Sequence, residues 1–253
     1  GQDKFRFKTI SQISIPTIFG SGAELTPSAV FINEKSKIKG GINSELIRSK
    51  IAILDPYLAK SKHINKIAEC SFDALVHCLE SYICKISNNY TKTMSILGAK
   101  HILKGLKFLN KNTLKSIEDL AQGSAYSINA LMHSEQNFTG AISYQLAAHY
   151  GYKHALCGAN FLPYSLILAN KKKKNLYKKL LEELHKDNII KNDSIDDLIE
   201  TLLKYFKKFK IENIKLTKDQ VEKTTKYTFE MPMLKFTPFN FSISDIRKIL
   251  NKS

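Results

Sequence analysis

The pattern of apolar and polar positions divides the chain at about residue 57. Before that point, short β-rich runs alternate with turn signals, which predicts strands at residues 13–18, 29–32 and 50–54. The turn signals between the later strands are asparagines and glycines: Asn33, Gly40, Gly41 and Asn43. After Pro56 the apolar residues recur with helical spacing almost to the C-terminus.

Helices are predicted at residues 62–85, 91–109, 113–133, 138–149, 155–169, 174–186, 195–209, 218–229 and 243–251. Three of them begin with Ser or Thr followed three residues later by Asp or Gln, the spacing of a capping box. These pairs are Ser194 with Asp197, Thr217 with Gln220 and Ser242 with Asp245. The predicted fold is therefore mainly α, with a small β-rich piece at residues 1–57 and an all-helical domain at residues 58–253.

Asp73 and His77 are the most informative residues, because they lie four positions apart in an apolar helical segment. That spacing places both side chains on one face of a helix. A carboxylate and an imidazole presented together can hold a divalent metal, which would relieve the cost of an unpaired buried charge. The alternatives are a buried Asp–His hydrogen bond, or one of the two groups facing water.

Two other segments carry candidate chemistry. The turn at residues 18–24 contains Gly-Ser-Gly after a predicted strand, and its backbone N–H groups could cradle a pyrophosphate. Ordinary turn chemistry explains the same residues equally. His149 and His154 flank a glycine-containing turn between two predicted helices. His154 could cap the second helix, or reach into a cleft between helices, where bundles build metal sites.

Composition narrows the range of functions. With 253 residues, 43% of them hydrophobic, the chain can bury a sizeable core. The formal charge of +16 would attract nucleic acid if it were clustered, but the lysines are spread along most helices. The one tight run, at residues 171–174, has no interleaved aromatic residues. We therefore expect solvated surface lysines and no nucleic-acid partner.

The cysteines and the apolar runs indicate the cellular compartment of the protein. The four cysteines form no CxxC pair, which favours reduced thiols. No apolar run reaches the length of a membrane span, and the first residues lack a secretory apolar stretch. The sequence therefore predicts a cytoplasmic protein with no membrane partner.

Taken together, these segments resemble the iron-containing (group III) alcohol dehydrogenases. The family's Pro-Thr-Thr-x-Gly-Thr-Gly-Ser-Glu turn corresponds to residues 16–24, and its Asp-Pro to residues 55–56. Its metal helix, Asp-Ala-Leu-x-His-x-x-Glu, corresponds to residues 73–80, and its closing helix to residues 240–246. Its second ligand block corresponds to Lys153-His154-Ala155, with Leu162-Pro163 following. Within the family, the segments Ala-Ile-Ser-Tyr and His-Tyr-Gly look most like the phosphonoacetaldehyde reductase branch.

The resemblance implies both fold and activity. It implies an all-helical metal-binding domain of the dehydroquinate synthase-like type, preceded by a remnant of an α/β dinucleotide-binding domain. It also implies an oxidoreductase that interconverts a small alcohol and its aldehyde with NAD or NADP at a divalent metal, Fe²⁺ or Zn²⁺. The expected partner is thus a small aldehyde or alcohol substrate, and a homodimer is the assembly that the resemblance allows.

The resemblance also assigns individual residues. The implied metal ligands are Asp73, His77 and His154. The implied cofactor-binding residues lie in the turn and the neighbouring strands: Thr17, Ile18, Ser21, Gly22, Lys39 (or Lys37) for a cofactor phosphate, and Leu54 near the adenine. The catalytic candidates are Tyr144, as a proton donor, and His149.

The chain departs from the family pattern in two places. The family's remaining histidine ligand is expected fourteen residues before His154, where this chain has Gly140. Almost none of the family's N-terminal domain, with its Gly-Gly-Gly-Ser phosphate loop, precedes the turn. We therefore expect a truncated or degenerate member that is weak or inactive by itself. Two alternatives are a non-catalytic helical pseudoenzyme that acts as a scaffold and, less favoured, a basic helical protein that binds nucleic acid.

Overall fold

This computed structural model describes residues 9–35, 38–111 and 113–251, without the side chains of residues 38 and 39. Strands occupy only the first part of the described chain. They are β1 (Ile13–Ser14), β2 (Ser28–Asn33), β3 (Ile38–Asn43) and β4 (Ile51–Ala52). β1 pairs with β4 in parallel, and β2 pairs with β3 in an antiparallel hairpin. The small β-rich piece predicted from the sequence is therefore two separate two-stranded sheets.

The strand boundaries differ from the predicted ones for identifiable reasons. β1 ends two residues before Pro16, which has no backbone N–H to donate to a ladder. β3 was predicted as a turn because of Gly40 and Gly41, yet both pair with β2, where Gly40 faces Phe31 and Gly41 faces Val30. The turn residues of the sequence therefore lie inside a strand.

The rest of the described chain is helical, as predicted. The helices are α1 (Pro56–Ala59), α2 (Ile64–Ile83), α3 (Asn89–Phe108), α4 (Leu114–Met132), α5 (Phe138–Tyr150), α6 (His154–Lys172), α7 (Lys178–Lys186), α8 (Ile195–Lys208), α9 (Lys218–Phe229) and α10 (Ile243–Leu250). Each predicted helix has a counterpart, and α1 is a short addition at Asp55-Pro56, where Asp55 caps the helix and Pro56 is its first residue.

α2 is the central helix of the domain. Every residue from Ser71 to Ile83 is buried, and the helix contacts α3, α4, α5 and α6. From Ser71 onward the helix has no exposed face, which explains why apolar residues dominate this part of its predicted segment. The polar residues Asp73, His77 and Glu80 of this helix are consequently enclosed by the bundle.

The capping predictions hold in two of three cases. Thr217 and Gln220 make both bonds of a capping box, and Asp245 Oδ2 accepts from the backbone N–H of Ser242 at 2.8 Å. At α8 the Ser194 hydroxyl accepts from the Asp197 backbone, but the Asp197 side chain accepts from Asn192 instead.

Two further expectations concern thiols and membranes. The four cysteines, Cys70, Cys78, Cys84 and Cys157, are all free, as expected for reduced thiols. None of the helices described here combines the length and the apolar character that crossing a bilayer requires.

Candidate metal centre and cofactor turn

Two histidines approach one oxygen of a buried carboxylate. Asp73 and His77 lie a turn apart on α2 and are only 7% and 5% exposed. His77 Nε2 is 3.8 Å from Asp73 Oδ1, and Nε2 of His154, the first residue of α6, lies at the same distance from that oxygen. Both separations are too long for a hydrogen bond. A direct hydrogen bond, one of the two alternatives to a metal at this pair, therefore does not join Asp73 and His77.

The close packing of α6 on α2 brings His154 to this position. Gly158 lies one turn beyond His154, and a Cβ atom there would be 3.1 Å from Cγ2 of Val76 and 3.9 Å from Cα of Asp73. The absence of a side chain at Gly158 lets the two helices approach beside Asp73. Lys153, with no side-chain hydrogen bond, is the N-cap of α6, so His154 is not the helix cap.

The chemistry of these three side chains fits a divalent metal in an open arrangement. His77 Nδ1 is buried and has no hydrogen-bond partner among the described residues. Burial lowers the pKa of His77, although the Asp73 charge opposes this, so the ring is neutral at neutral pH. A cation with bonds of about 2.1 Å can bridge donors that lie 3.8 Å apart. In the described ranges no three His, Cys, Asp or Glu side chains lie close enough together to hold a metal ion as they stand. A bound metal would therefore require a rearrangement of these side chains.

A glycine occupies the position where the resemblance implies a fourth ligand. Gly140 lies in the first turn of α5 and is buried. A Cβ atom at Gly140 would lie 2.6 Å from Cδ and from Oε1 of Gln136, a residue that is 4% exposed. The sequence analysis did not single out Gln136, because only the structure shows that its side chain fills this space.

A carboxylate that the sequence analysis gave no role connects α2 to α5. The Glu80 side chain accepts from the backbone N–H groups of Asn137 at 2.8 Å, Thr139 at 2.6 Å and Gly140 at 3.1 Å. Burial raises the pKa of Glu80, and these hydrogen bonds oppose that rise. Its position seven residues after Asp73, on the same helical stripe, was the signal available in the sequence.

The two catalytic candidates of the sequence analysis lie in different surroundings. The Tyr144 ring meets the His154 ring edge-on, with 5.2 Å between centroids. Burial raises the pKa of Tyr144, and the negative charges of Glu135 and Asp73 add to the rise. His149 lies about 140° further round α5 and stacks on Tyr227 of α9 at 4.4 Å. The structure thus brings Tyr144, but not His149, to the histidine at Asp73.

The candidate cofactor turn packs directly on α2. A Cβ atom on Gly20 would lie 2.8 Å from the backbone oxygen of Cys70, which precedes Asp73 by one helical turn. The Ser124 hydroxyl of α4 donates to the Gly20 carbonyl at 3.0 Å. Gly22 has a φ of 67°, a conformation that other residues rarely adopt. The turn is therefore fixed within one helical turn of the candidate metal donors.

The remaining cofactor candidates divide by exposure. Thr17 and Ser21 are exposed on the turn, whereas Ile18 is half-buried and Gly22 is buried. Leu54 is half-buried against a small apolar cluster around Phe19, so its side chain helps to anchor the turn. The backbone of Lys39 lies in β3, but its side chain is outside the described residues, and Lys37 is outside them entirely.

Two family models match this chain. The model described as Iron-containing alcohol dehydrogenase matches residues 1–56. The model described as Fe-containing alcohol dehydrogenase family, C-terminal, matches residues 67–253. Together they cover most of the chain, in the order that the sequence motifs suggest.

The matched residues make up a larger share of this chain than of its curated relatives. The 4-hydroxybutyrate dehydrogenase of Clostridium kluyveri is 29% identical over 202 residues, which are 76% of this chain and 54% of that protein. The 1,3-propanediol dehydrogenase of Citrobacter freundii is 31% identical over 155 residues, which are 60% of this chain and 40% of that protein. This chain therefore spans about half the length of the relatives that it matches.

Solved structures share the fold. A 1,3-propanediol oxidoreductase superposes with a TM-score of 0.88 at 18% identity, covering 99% of this chain and 68% of that one. A sulfoacetaldehyde reductase from Bifidobacterium kashiwanohense, in complex with NAD⁺, superposes with a TM-score of 0.85 at 19% identity, covering 96% and 65%. At such identities the likeness shows the fold alone, and that fold is the mainly helical one predicted from the sequence.

Proposed function

Because this chain belongs to the iron-containing alcohol dehydrogenase family, we propose that it acts as an oxidoreductase on a small alcohol or aldehyde. The proposed reaction uses NAD or NADP and a divalent metal. The observation that carries the proposal is the position of Asp73 Oδ1, which His77 Nε2 and His154 Nε2 both approach to 3.8 Å. The family is one of oxidoreductases, so a metal at this oxygen has a chemical purpose.

In this proposal, Asp73, His77 and His154 hold the metal, which when bound polarises a carbonyl oxygen as a Lewis acid. Asp73 contributes the negative charge that attracts the cation into a buried position. The lowered pKa of His77 keeps its imidazole neutral, the state in which histidine binds metals. His154 is the most accessible of the three, with 24% of its side chain exposed, so substrate would approach from its side.

Tyr144 is the proposed proton donor. Its raised pKa keeps the phenol protonated at neutral pH, and its ring lies against His154. A substrate oxygen held beside His154 would therefore be within reach of a hydroxyl that can donate. His149 has no part in this proposal, because its ring stacks on Tyr227 at another face of α5.

The turn at residues 16–24 is the proposed cofactor contact. Thr17 and Ser21 present exposed hydroxyl groups, and the backbone N–H groups of such a turn can bind a phosphate. Gly20 packs on Cys70, so a nucleotide held by this turn would lie near the Asp73 group. The nucleotide supplies the hydride, and the chain supplies its orientation.

The proposal also assigns a role to each of the two segments of the chain. We assign residues 1–57 to the cofactor side and residues 58–253 to the metal and substrate side, supported by the order of the two matched segments. We expect slow turnover from these 253 residues alone, because glycine occupies residue 140. The narrower likeness to phosphonoacetaldehyde reductases and a homodimeric assembly stay predictions.

Reduction of small aldehydes is the direct test. The chain would be loaded with Fe²⁺ or Zn²⁺ without oxygen and assayed for aldehyde-dependent oxidation of NADH and NADPH, beside Asp73→Asn. The expected result is a rate that chelation and Asp73→Asn both abolish. A folded chain that takes up metal but neither binds nucleotide nor oxidises it with any aldehyde would refute the proposal.

A non-catalytic scaffold is the second candidate. It is favoured by the absence, within the described ranges, of three His, Cys, Asp or Glu side chains close enough together to hold a metal ion. It predicts a stable fold that binds neither a divalent metal nor a dinucleotide. Equilibrium dialysis with Zn²⁺ and fluorescence titration with NADH distinguish it from the enzyme.

A further inference from the structure

A side chain already fills the space beside Gly140. A Cβ atom on Gly140 would lie 2.6 Å from Cδ and Oε1 of Gln136 and 2.7 Å from Cβ of that residue. Because a helical Cβ points toward the N-terminus of its helix, this space lies at the start of α5. The Gln136 amide therefore occupies the volume that a side chain at residue 140 would enter.

This volume belongs to the face of α5 that looks toward the candidate metal donors. Gly140 and Tyr144 lie one turn apart, so they share that face. The Tyr144 ring meets the His154 ring at 5.2 Å, and His154 Nε2 is 3.8 Å from Asp73 Oδ1. Gly140 contacts the Gln136 amide, Tyr144 on the same face contacts His154, and His154 lies beside Asp73. The Gln136 amide is therefore on the side of α5 that faces the buried carboxylate.

The Gln136 side chain lies in a largely buried position and makes no hydrogen bond to another described residue. The residue is 4% exposed, and within residues 9–35, 38–111 and 113–251 only its backbone N–H has a partner, the Glu135 side chain. The carbonyl oxygen of its side-chain amide is a good ligand for hard or borderline divalent cations. The Gln136 oxygen, which no described residue engages, is therefore free to bind a cation held at the Asp73 group.

We infer that the amide oxygen of Gln136 is the fourth ligand of the metal proposed at Asp73, His77 and His154. The inference rests on the proposed function, because it requires that metal. It gives a site of two oxygens and two imidazole nitrogens, with one negative charge. Glu80 binds the backbone of Asn137, the residue next to Gln136, and so fixes the backbone from which the amide projects.

Cobalt(II) is a suitable probe, because its visible absorption depends on the number and type of its ligands. The metal-free chain would be titrated with Co²⁺ under reducing conditions, beside Gln136→Leu, which keeps a similar volume but removes the amide. Even the loss of an outer partner of a metal ligand lowers affinity about 10–100-fold. We therefore expect Gln136→Leu to bind Co²⁺ at least about tenfold more weakly, with a weaker and shifted visible band.

Three variants separate this inference from the proposed function. Gln136→Glu keeps an oxygen ligand and should bind Co²⁺ at least as tightly as the wild type, which also answers the objection that Gln136→Leu is misfolded. Gln122→Leu, at a half-buried glutamine of α4 that bonds Glu118, should leave affinity and spectrum unchanged. Asp73→Asn should abolish binding.

Each outcome has a definite meaning. Loss of Co²⁺ affinity in Gln136→Leu with recovery in Gln136→Glu supports Gln136 as a ligand. Wild-type affinity and spectrum in Gln136→Leu, with binding lost in Asp73→Asn, overturns the role of Gln136 and leaves the proposed function intact. No Co²⁺ uptake by the folded wild-type chain overturns both.

Discussion

The Glu80 carboxylate of α2 accepts a hydrogen bond from the backbone N–H of Gly140 in α5, with 3.1 Å between Oε2 and the nitrogen. The neighbouring N–H groups of Asn137 and Thr139 bond the same carboxylate. The first N–H groups of α5 are therefore satisfied by another helix, because Asn137 at its N-cap makes no side-chain capping bond. This contact fixes the start of α5 against the helix that carries Asp73 and His77.

Replacing Glu80 should weaken the fold substantially. Glu80→Gln leaves one acceptor oxygen and turns an amide NH₂ toward backbone donors, so we expect the free energy of unfolding to fall by about 2–4 kcal/mol. Urea denaturation followed by circular dichroism measures this. Glu69→Gln, a partly exposed residue of the same helix paired with Lys66, is the control and should change stability by less than about 0.5 kcal/mol. Equal effects of the two variants would show that the Glu80 contacts are not stabilising.

The Tyr144 hydroxyl should matter for turnover and not for metal binding. Tyr144→Phe keeps the ring against His154 and removes only the proton donor. We expect kcat for aldehyde reduction to fall about 10²-fold or more with the metal content unchanged. His149→Phe, which keeps the stack on Tyr227, is the matched control and should retain most of the activity. The reverse order of these two effects would transfer the proton-donor role to His149.

The stability of the metal-free chain should depend on the titration of His77. Burial lowers the pKa of His77 from its ordinary value of 6.5, with the Asp73 charge opposing. As the pH falls below that value, the unfolded chain takes up a proton that the folded chain does not, so the free energy of unfolding decreases. The free energy of unfolding therefore keeps its full value above pH 6.5 and decreases as the pH falls toward the lower pKa that His77 has in the folded state.

His77→Gln should flatten this pH dependence. The difference in slope between wild type and variant can reach about 1.4 kcal/mol per pH unit, and urea unfolding at about pH 7.5 and about pH 5.5 would detect it. The control for removing an imidazole is His185→Gln, at an exposed position near the end of α7. Parallel profiles for wild type and His77→Gln would contradict the lowered pKa.

A side chain at Gly22 should disturb the cofactor turn. The residue has a φ of 67°, and a Cβ atom there would lie 2.5 Å from Cγ2 of Ile128. We expect Gly22→Ala to lower the free energy of unfolding by about 1–3 kcal/mol and to weaken NADH binding. Gly40→Ala is the control, since no atom lies within 4 Å of its Cβ position. Isothermal titration calorimetry with NADH measures this. Equal NADH affinity in Gly22→Ala and Gly40→Ala would contradict the cofactor assignment.

Local sequence patterns determined most of the helices. α2 was predicted at residues 62–85 and spans Ile64–Ile83, because a long apolar segment with helical spacing permits few other structures. β3 was missed because Gly40 and Gly41 are typical turn residues, and only pairing with β2 shows that they lie in a strand. Strand pairing is a tertiary effect that overrides such local signals.

The candidate site was predictable only in part. Asp73, His77 and His154 were named from spacing and resemblance, and the structure brings them around one oxygen. Gln136 could not be predicted, because its position depends on the space left by Gly140. The position of Glu80 on the Asp73 stripe marked it as a buried carboxylate, but its partner Asn137 lies 57 residues away in the chain and only the structure shows it.

Metal stoichiometry is the measurement that tests the central claim most directly. The untagged chain and Asp73→Asn would be exposed to excess Fe²⁺ or Zn²⁺ under reducing conditions, freed of unbound metal, and analysed by mass spectrometry of the elements. We predict one tightly held divalent metal per wild-type chain and essentially none in a folded Asp73→Asn. Equal metal content in the two proteins, or a folded wild-type chain that retains none, would contradict a metal centre at Asp73, His77 and His154.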